Sequence, residues 1–178
     1  MIQLYLTLID DEEDKVRFEH AYYRYRKLMH REAKKILKDG HRAEDAVQEA
    51  FFRIARNFHK VGAVDAKQTR NFFVLITRRA ALNLLEREEH FCPASEDDLA
   101  KSESLAVSDS ADTPLHETEL MQAIARLPEQ YREVLYLRGV YGYEMKEIAE
   151  MLGITVDAAW KRFYRGRSAL EKEMEREE

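Results

Sequence analysis

An all-α fold is predicted, with two helical domains joined by a flexible acidic linker. The chain has 178 residues, of which 35% are charged, with 6 glycines and 3 prolines, a composition typical of helices with few turns. Apolar residues recur at spacings of three and four in several segments, which indicates amphipathic helices. Residues 92–114 differ sharply, because they are rich in Ser, Asp, Glu and Ala with a proline near each end. We therefore expect domains at residues 1–91 and 115–178.

Three helices are predicted in the first domain, over about 14–39, 43–58 and 70–88. Acidic residues precede the first helix, where the helix dipole favours negative charge, and Gly40 is expected to close it. Residues 59–70 show no clean period and predict a loop, with Thr69 as the N-cap of the third helix.

The second helix carries a polar face opposite its apolar one. Val47, Phe51 and Ile54 are spaced for burial, which turns Glu44, Asp45, Gln48 and Glu49 to the outside. Such a face is either a solvated surface or a surface that binds a partner. Periodicity does not distinguish the two.

The third helix combines aromatic and basic residues. Phe72 and Phe73 lie near its start, Arg78 and Arg79 follow, and Asn83 lies one turn further on. A loop before a basic helix suits single-stranded nucleic acid, because cations meet the backbone and aromatic rings stack on bases. The alternative for Phe72 and Phe73 is the hydrophobic core, and we expect at least one of them there.

The second domain begins with two short helices, the first of which stops at Pro128. A helix-turn-helix pattern follows over residues 143–170. Gly153 permits a left-handed turn and Thr155 is a good N-cap for the last helix. The residues expected to be buried are Ile148, Ala149 and Leu152 in its first helix, and Val156, Ala159 and Phe163 in its second.

The other faces of this last helix are aromatic and basic. They carry Trp160, Lys161, Arg162, Tyr164, Arg165 and Arg167, with Asp157 as the one acid between Val156 and Leu170. In a helix-turn-helix the second helix enters the major groove of DNA, so this pattern favours DNA reading. The alternative is an ordinary helical hairpin with a solvated basic face.

Composition excludes several classes of function. The net charge is −5, so contacts to nucleic acid must come from local basic patches. Cys92 is the one cysteine, which excludes an intramolecular disulfide and fits a reducing compartment. No apolar run reaches the roughly 20 residues of a membrane span. The sequence shows no metal-ligand spacing, no glycine-rich phosphate loop and no catalytic triad order, so we expect no enzyme, metal or cofactor.

Three segments together resemble a known family. These are AEDAVQEAFFRIARNF at 43–58, FVLITRRAALNLLER at 73–87, and LPEQYREVLYLRGVYGYEMKEIAEMLGITVDAAWKRFYRGR at 127–167. They are similar to the polymerase-binding helix of region 2, the −10 reading segment and region 4 of bacterial extracytoplasmic-function (group IV) sigma factors. Their order and spacing and the acidic segment between them agree with that family.

The resemblance implies a cytoplasmic transcription initiation factor that binds core RNA polymerase, reads the −35 and −10 elements of a promoter and helps melt the −10 DNA. It also implies an anti-sigma protein as a partner. The residues that match polymerase-binding positions are Glu44, Asp45, Gln48, Glu49 and Phe52. Those that match −10 positions are Lys67, Arg70, Phe72, Phe73, Arg78, Arg79 and Asn83, with the loop at 61–71 matching the pocket for a flipped base. Those that match −35 positions are Arg138, Trp160, Lys161, Arg162, Tyr164, Arg165 and Arg167.

Two other functions are compatible with parts of the sequence. The first is a helix-turn-helix regulator whose N-terminal domain dimerises or senses a signal, against which the polar face of the second helix argues. The second is a helical adaptor without nucleic acid, against which the basic face of residues 160–167 argues. Trp160 stands where the family commonly has Lys or Arg, so a promoter sequence is not transferable from relatives.

Overall fold

The structure, a computed structural model, describes residues 1–89 and 119–175. Within these residues it is built from α-helices and one 3-10 turn, without strands. The helices are α1 (Ile2–Leu6), α2 (Glu12–Leu37), α3 (Gly40–Arg56), α4 (Lys67–Glu89), α5 (Glu119–Arg126), α6 (Glu129–Gly139), α7 (Met145–Leu152) and α8 (Val156–Glu175), and the 3-10 turn is Phe58–Lys60. The predicted all-α fold is confirmed.

The N-terminal half is a bundle of α2, α3 and α4, whose facing sides are apolar. Phe18 on α2 and Phe51 on α3 are almost completely buried and lie edge to face, with ring centroids 6.1 Å apart. The short α1 adds Tyr5, which is buried and packs within 6.0 Å of Phe18 and 5.8 Å of Phe51. Large aromatic side chains therefore form the centre of this half, where their burial stabilises the bundle.

Three helix ends differ from the predictions. The residue with the left-handed backbone after α2 is Lys38 (φ 58°), whereas Gly40 is the first residue of α3. Asp39 is the N-cap of α3, and it accepts a hydrogen bond from the backbone N–H of Arg42 at 2.8 Å. Helix α4 begins at Lys67, so Thr69 lies inside it and is not its N-cap. The Thr69 hydroxyl instead donates to the carbonyl of Ala63 at 2.7 Å and holds the preceding loop against the helix.

The helix-turn-helix is confirmed as α7, a tight turn and α8. Glu144 and Glu147 form a capping box at the start of α7, which serves in place of a hydroxyl cap. Gly153 ends α7 with φ 67°, and Thr155 accepts a hydrogen bond from the N–H of Ala158 at 3.1 Å. Both local signals in the sequence therefore have the predicted role.

The buried side of α8 is rotated from the predicted one. Ala159, Arg162 and Gly166 are buried, whereas Val156 is 41% exposed and Phe163 is half-buried. Gly166 provides the close approach, because a Cβ there would lie 3.0 Å from Cβ of Tyr131 on α6. The face of α8 that packs on α6 therefore contains a glycine and an arginine. The apolar pattern alone predicted that Val156 would be buried.

The two halves share one hydrophobic core. Tyr143, Met145 and Ile148 of the C-terminal half belong to the same buried cluster as Phe72 of α4. The linker expected at 92–114 lies outside the described residues. The domain limits at residues 91 and 115 therefore remain predictions.

Candidate nucleic-acid and polymerase interfaces

The polar face of α3 points away from the bundle, as the sequence predicts. Asp45 and Glu49 are exposed, and Glu44, Gln48 and Phe52 are half-buried. Neighbouring arginines pair with the two glutamates: Arg26 with Glu44 at 3.1 Å and Arg53 with Glu49 at 2.7 Å. The five predicted residues thus form one polar surface that includes the half-buried Phe52.

A basic pocket of about 530 Å³ lies between α2 and the start of α4. Its lining residues are Arg24, Tyr25, Leu28, Arg31, Asp65, Lys67 and Arg70, which amount to four cations and one acid. Asp65 pairs with Arg24 at 3.0 Å. The cations and the apolar side chain of Leu28 suit the two parts of a nucleotide, a phosphate and a base.

Backbone contacts set the shape of this pocket. The hydroxyl of Tyr25 donates to the carbonyl of Val64, and the guanidinium of Arg17 donates to the carbonyl of Gly62 at 2.6 Å.

Lys67 and Arg70 are predicted site residues, and both line the pocket. Arg24 and Arg31 were not predicted, because they lie about 40 residues earlier in the chain. Their spacing of seven on one face of α2, with Leu28 between them, is the signal that could have found them.

The two phenylalanines of α4 belong to the core, which confirms the alternative expected for at least one of them. Phe73 is fully buried and packs on Tyr25 with ring centroids 4.9 Å apart. Phe72 is 1% exposed and is stacked on Tyr143 of the C-terminal half at 5.9 Å and 15°. In this arrangement neither ring is accessible to a base.

The three polar −10 candidates on α4 all contact the C-terminal half. Arg78 lies 3.5 Å from Glu129 and Arg79 lies 4.0 Å from Glu133, both on α6. The amide of Asn83 donates to the carbonyl of Leu152 on α7 at 2.9 Å. The structure therefore divides the seven predicted −10 residues: Lys67 and Arg70 face the basic pocket, and the other five are in the core or against α6 and α7.

Glu133 is an acid in a buried position. It is 3% exposed, and burial raises its pKa to about 7 even though Arg79 and Arg162 oppose the shift. Nε of Arg79 and Oε2 of Glu133 are also buried, and neither atom has a hydrogen-bond partner among the described residues. The pair therefore gains little from hydrogen bonding to offset its loss of hydration.

The outward face of α8 remains exposed. Val156, Trp160 and Tyr164 recur every four residues and are 41%, 38% and 60% exposed. The rings of Trp160 and Tyr164 are stacked at 5.6 Å and 21°. Lys161 and Arg165 lie beside this apolar stripe and are exposed. Cations next to exposed aromatic rings suit a DNA groove, where phosphates and thymine methyl groups are both present.

Three of the predicted −35 arginines interact with other residues of the chain. Arg162 is 9% exposed and lies close enough to Glu133 to lower its pKa. Arg138 donates to the carbonyl of Tyr143 at 2.9 Å and pairs with Glu144 at 3.0 Å. Arg167 is exposed and pairs with Glu171 at 3.1 Å. The sequence did not predict the burial of Arg162, because that depends on how α8 is rotated against α6.

Residues 1–89 and 119–175 contain no group of three or more His, Cys, Asp or Glu side chains placed to hold a metal ion. None of the helices within these residues combines the length and the apolar character needed to cross a membrane.

Comparisons with known proteins place both halves of the chain in one family. Residues 21–91 match Sigma-70 region 2, and residues 117–170 match Sigma-70 region 4. Among curated proteins, the chain is 28% identical over 167 residues to the ECF RNA polymerase sigma factor SigW of Bacillus subtilis, which covers 84% of each chain. It is 27% identical over 150 residues to the RNA polymerase sigma factor CarQ of Myxococcus xanthus, again with 84% of each covered.

A solved structure of a sigma factor is also similar. It is RpoE of Bartonella quintana, determined with the anti-sigma factor NepR, at 16% identity and a TM-score of 0.40 over 89% of this chain and 96% of that chain. The two family matches together extend over well more than half of the sequence and follow the order of regions 2 and 4. The chain therefore belongs to the sigma-70 family, as an extracytoplasmic-function sigma factor.

Proposed function

We propose that this chain binds core RNA polymerase and directs it to a subset of promoters as an alternative sigma factor. The observation that carries the proposal is the presence, on one chain that matches both sigma regions, of two separate basic surfaces suited to nucleic acid. One is the basic pocket between α2 and α4, and the other is the outward face of α8. Catalysis belongs to the polymerase in this proposal, and the chain acts where the polymerase is, in the cytoplasm.

The polar face of α3 is the proposed contact with the polymerase. Asp45 is exposed and Gln48 is half-buried on this face. Burial of the opposite side of α3 holds this face rigid. A rigid polar face with a half-buried aromatic residue, Phe52, is suited to a large partner surface.

The basic pocket is the proposed site for an unpaired base of the −10 element. Lys67 and Arg70 are placed for the DNA backbone, and Arg24 and Arg31 join them from α2. The target base must leave the stack before it can enter such a pocket, which couples reading of the base to strand separation.

The outward face of α8 is the proposed reader of the −35 element. Trp160, Lys161, Tyr164 and Arg165 are its exposed residues. The first turns of a recognition helix contact base edges, so Lys161 is assigned to a base and Arg165 to a phosphate. An anti-sigma protein as a further partner stays a prediction. The alternative of a regulator with an N-terminal sensing domain is not favoured, because residues 21–91 match sigma region 2.

The double variant Asp45→Ala/Gln48→Ala tests the proposal, with Glu19→Ala, an exposed acid on α2, as the matched control. We expect the double variant to change the free energy of unfolding by less than about 0.5 kcal/mol, because both side chains are outside the core. Its affinity for core polymerase should fall at least tenfold, and promoter-dependent run-off transcription from a genomic library should fall with it. The control should behave as the wild type. Normal polymerase binding by the double variant would disprove the assignment of this face.

A further inference from the structure

The outward face of α8 has an apolar row at its centre. The row consists of Val156, Trp160 and Tyr164, which lie at intervals of four residues and are all exposed. Side chains at this spacing are neighbours on one face of a helix. Large apolar side chains on the surface of a soluble protein are normally scattered singly, so a continuous row of three indicates an interaction surface.

Contacts within α8 hold the ring of Trp160 in place. It is stacked on the ring of Tyr164 at 5.6 Å and 21°, and it lies edge to face with the ring of Phe163 at 6.1 Å and 84°. Phe163 is half-buried and packs against the hydrophobic core, so the aromatic cluster is anchored to the fold. A ring held in this way loses little conformational freedom when a ligand contacts it.

Positive charge lies beside the apolar row and not within it. Arg162 is buried on the side of α8 that packs on α6, whereas Lys161 and Arg165 are exposed next to the row. Asp157 is the one acid between residues 156 and 170. Duplex DNA has a complementary arrangement, because its negative phosphates flank the base edges that line the major groove.

The apolar row is as long as the major groove is wide. Val156 and Tyr164 are eight residues apart, which is about 12 Å at a helical rise of about 1.5 Å per residue. The major groove of B-form DNA is also about 12 Å wide. The row therefore fits within the groove, with Trp160 at its centre placed to contact base edges.

The four bases differ in how well they accept an apolar ring at their major-groove edge. Thymine presents a C5-methyl group beside its O4 acceptor, whereas guanine presents two acceptors, cytosine a donor, and adenine one of each. A polar group that loses water to an apolar ring without gaining a hydrogen bond is penalised. A methyl group instead gains from burial, by about fourfold in affinity. Thymine is therefore the base that best matches Trp160.

We propose that Trp160, flanked by Val156 and supported by Phe163 and Tyr164, contacts thymine methyl groups of the −35 element and sets a preference for thymine there. This contact rests on the proposed function, which assigns the outward face of α8 to the −35 element. Lys161 recognises a neighbouring base pair by hydrogen bonding, and Trp160 adds recognition of a methyl group by burial.

Deoxyuridine tests the contact, because it pairs as thymidine does and lacks only the C5-methyl group. Holoenzyme is assembled from core polymerase and the full-length chain, and it is bound to promoters recovered from the genomic run-off library. Each thymine of the −35 element, on either strand, is replaced in turn by deoxyuridine. We expect the wild type to lose about fourfold in affinity at one or two thymines, and to bind the other substituted duplexes unchanged.

The ratio of affinities for the thymidine and deoxyuridine duplexes identifies the residue that makes the contact. In Trp160→Ala the ratio at the sensitive thymine should fall to about one, as in a double-mutant cycle. Trp160→Phe keeps an aromatic ring and should retain part of the ratio. Tyr23→Ala is the matched control, because Tyr23 is an exposed aromatic residue on α2, and its ratio should equal that of the wild type. Partial unfolding would lower both affinities alike and leave the ratio unchanged.

The dependence on salt separates this contact from those of the neighbouring cations. Trp160→Ala removes no charge, so its salt slope should equal that of the wild type. Loss of a phosphate contact would instead lower the slope by about one.

Three results would overturn the methyl contact. They are a recovered −35 element without thymine on either strand, equal affinity of the wild type for every thymidine and deoxyuridine duplex, and a Trp160→Ala holoenzyme that binds promoters as tightly as the wild type. The third result would mean that the apolar row binds a protein partner. Failure of the proposed function looks different, since run-off transcription with core polymerase would then recover no promoter, and the methyl contact would fall with it.

Discussion

Helices α4 and α8 both carry aromatic and basic residues that the sequence predicts to contact DNA. The two helices differ in how much of these side chains is exposed to solvent. On α4, Phe72 and Arg79 are 1% and 7% exposed, whereas on α8 Trp160 and Tyr164 are 38% and 60% exposed. Helix α4 lies between α2 and α3 on one side and α6 and α7 on the other. Helix α8 packs on α6 and α7 by one face and leaves its outer face in solvent.

The difference teaches that residue type does not decide accessibility. The apolar residues of α4, among them Phe72, Phe73 and Ile76, are spread around the helix, as expected for a helix covered on more than one side. The buried residues of α8, Ala159, Arg162 and Gly166, lie along one face, which leaves the opposite face for a partner. Apolar residues spread around α4 mark a covered helix, whereas on α8 the apolar stripe of Val156, Trp160 and Tyr164 lies in solvent.

Alanine at the matched aromatic positions gives the largest expected contrast. Phe72→Ala should destabilise the fold by about 3–5 kcal/mol, because a fully buried ring is removed. Trp160→Ala should cost about 1 kcal/mol or less, because its ring is partly solvated. Urea unfolding measures both effects. Binding to a −35 duplex should show the reverse order, with affinity lost in Trp160→Ala. Equal loss of stability in the two variants would remove the contrast between the helices.

The buried acid between α4 and α6 predicts a pH dependence of intermediate size. The pKa of Glu133 is raised to about 7 from 4.5, so its contribution to stability is present below pH 4.5 and is lost as pH rises through 7. The charged groups that face it are Arg79 on α4, Glu129 and Arg132 on α6, and Arg162 on α8.

Glu133→Gln isolates this effect, because glutamine does not ionise. The wild type should lose stability relative to Glu133→Gln between pH 4.5 and 7, by a few kcal/mol at most. The lowered pKa of Glu147 acts in the opposite direction, but it is common to both proteins and cancels in the difference. Denaturant unfolding at several pH values measures the two curves. Parallel curves would show that Glu133 is not held in a buried state.

The exposed face of α8 predicts two smaller and distinguishable effects. Lys161→Ala should cost about 1–3 kcal/mol at one base pair of the −35 element and flatten the preference there, as expected for a base contact. Arg165→Ala should weaken all −35 variants alike and lower the salt slope by about one, as expected for a phosphate contact. Binding to a set of −35 duplexes at several salt concentrations separates the two. The opposite pattern would mean that α8 lies in the groove in the reverse direction.

Local signals in the sequence determined the helices and several of their ends. Gly153 and Thr155 have the predicted roles. The polar face of α3 points away from the bundle, as its helical periodicity predicted. These features depend on residues within one or two helical turns, so spacing and cap chemistry are sufficient to predict them. The order of the three family-like segments likewise indicated the family, which the matches to regions 2 and 4 confirm.

Tertiary packing decided the features that join distant parts of the chain. The basic pocket combines Arg24 and Arg31 with Lys67 and Arg70, and the burial of Arg162 depends on how α8 is rotated against α6. The covering of α4 by residues 141–153 is a contact between segments more than 60 residues apart. Periodicity shows that a helix has an apolar face but not which surface covers it, because that choice depends on the packing of all the helices together.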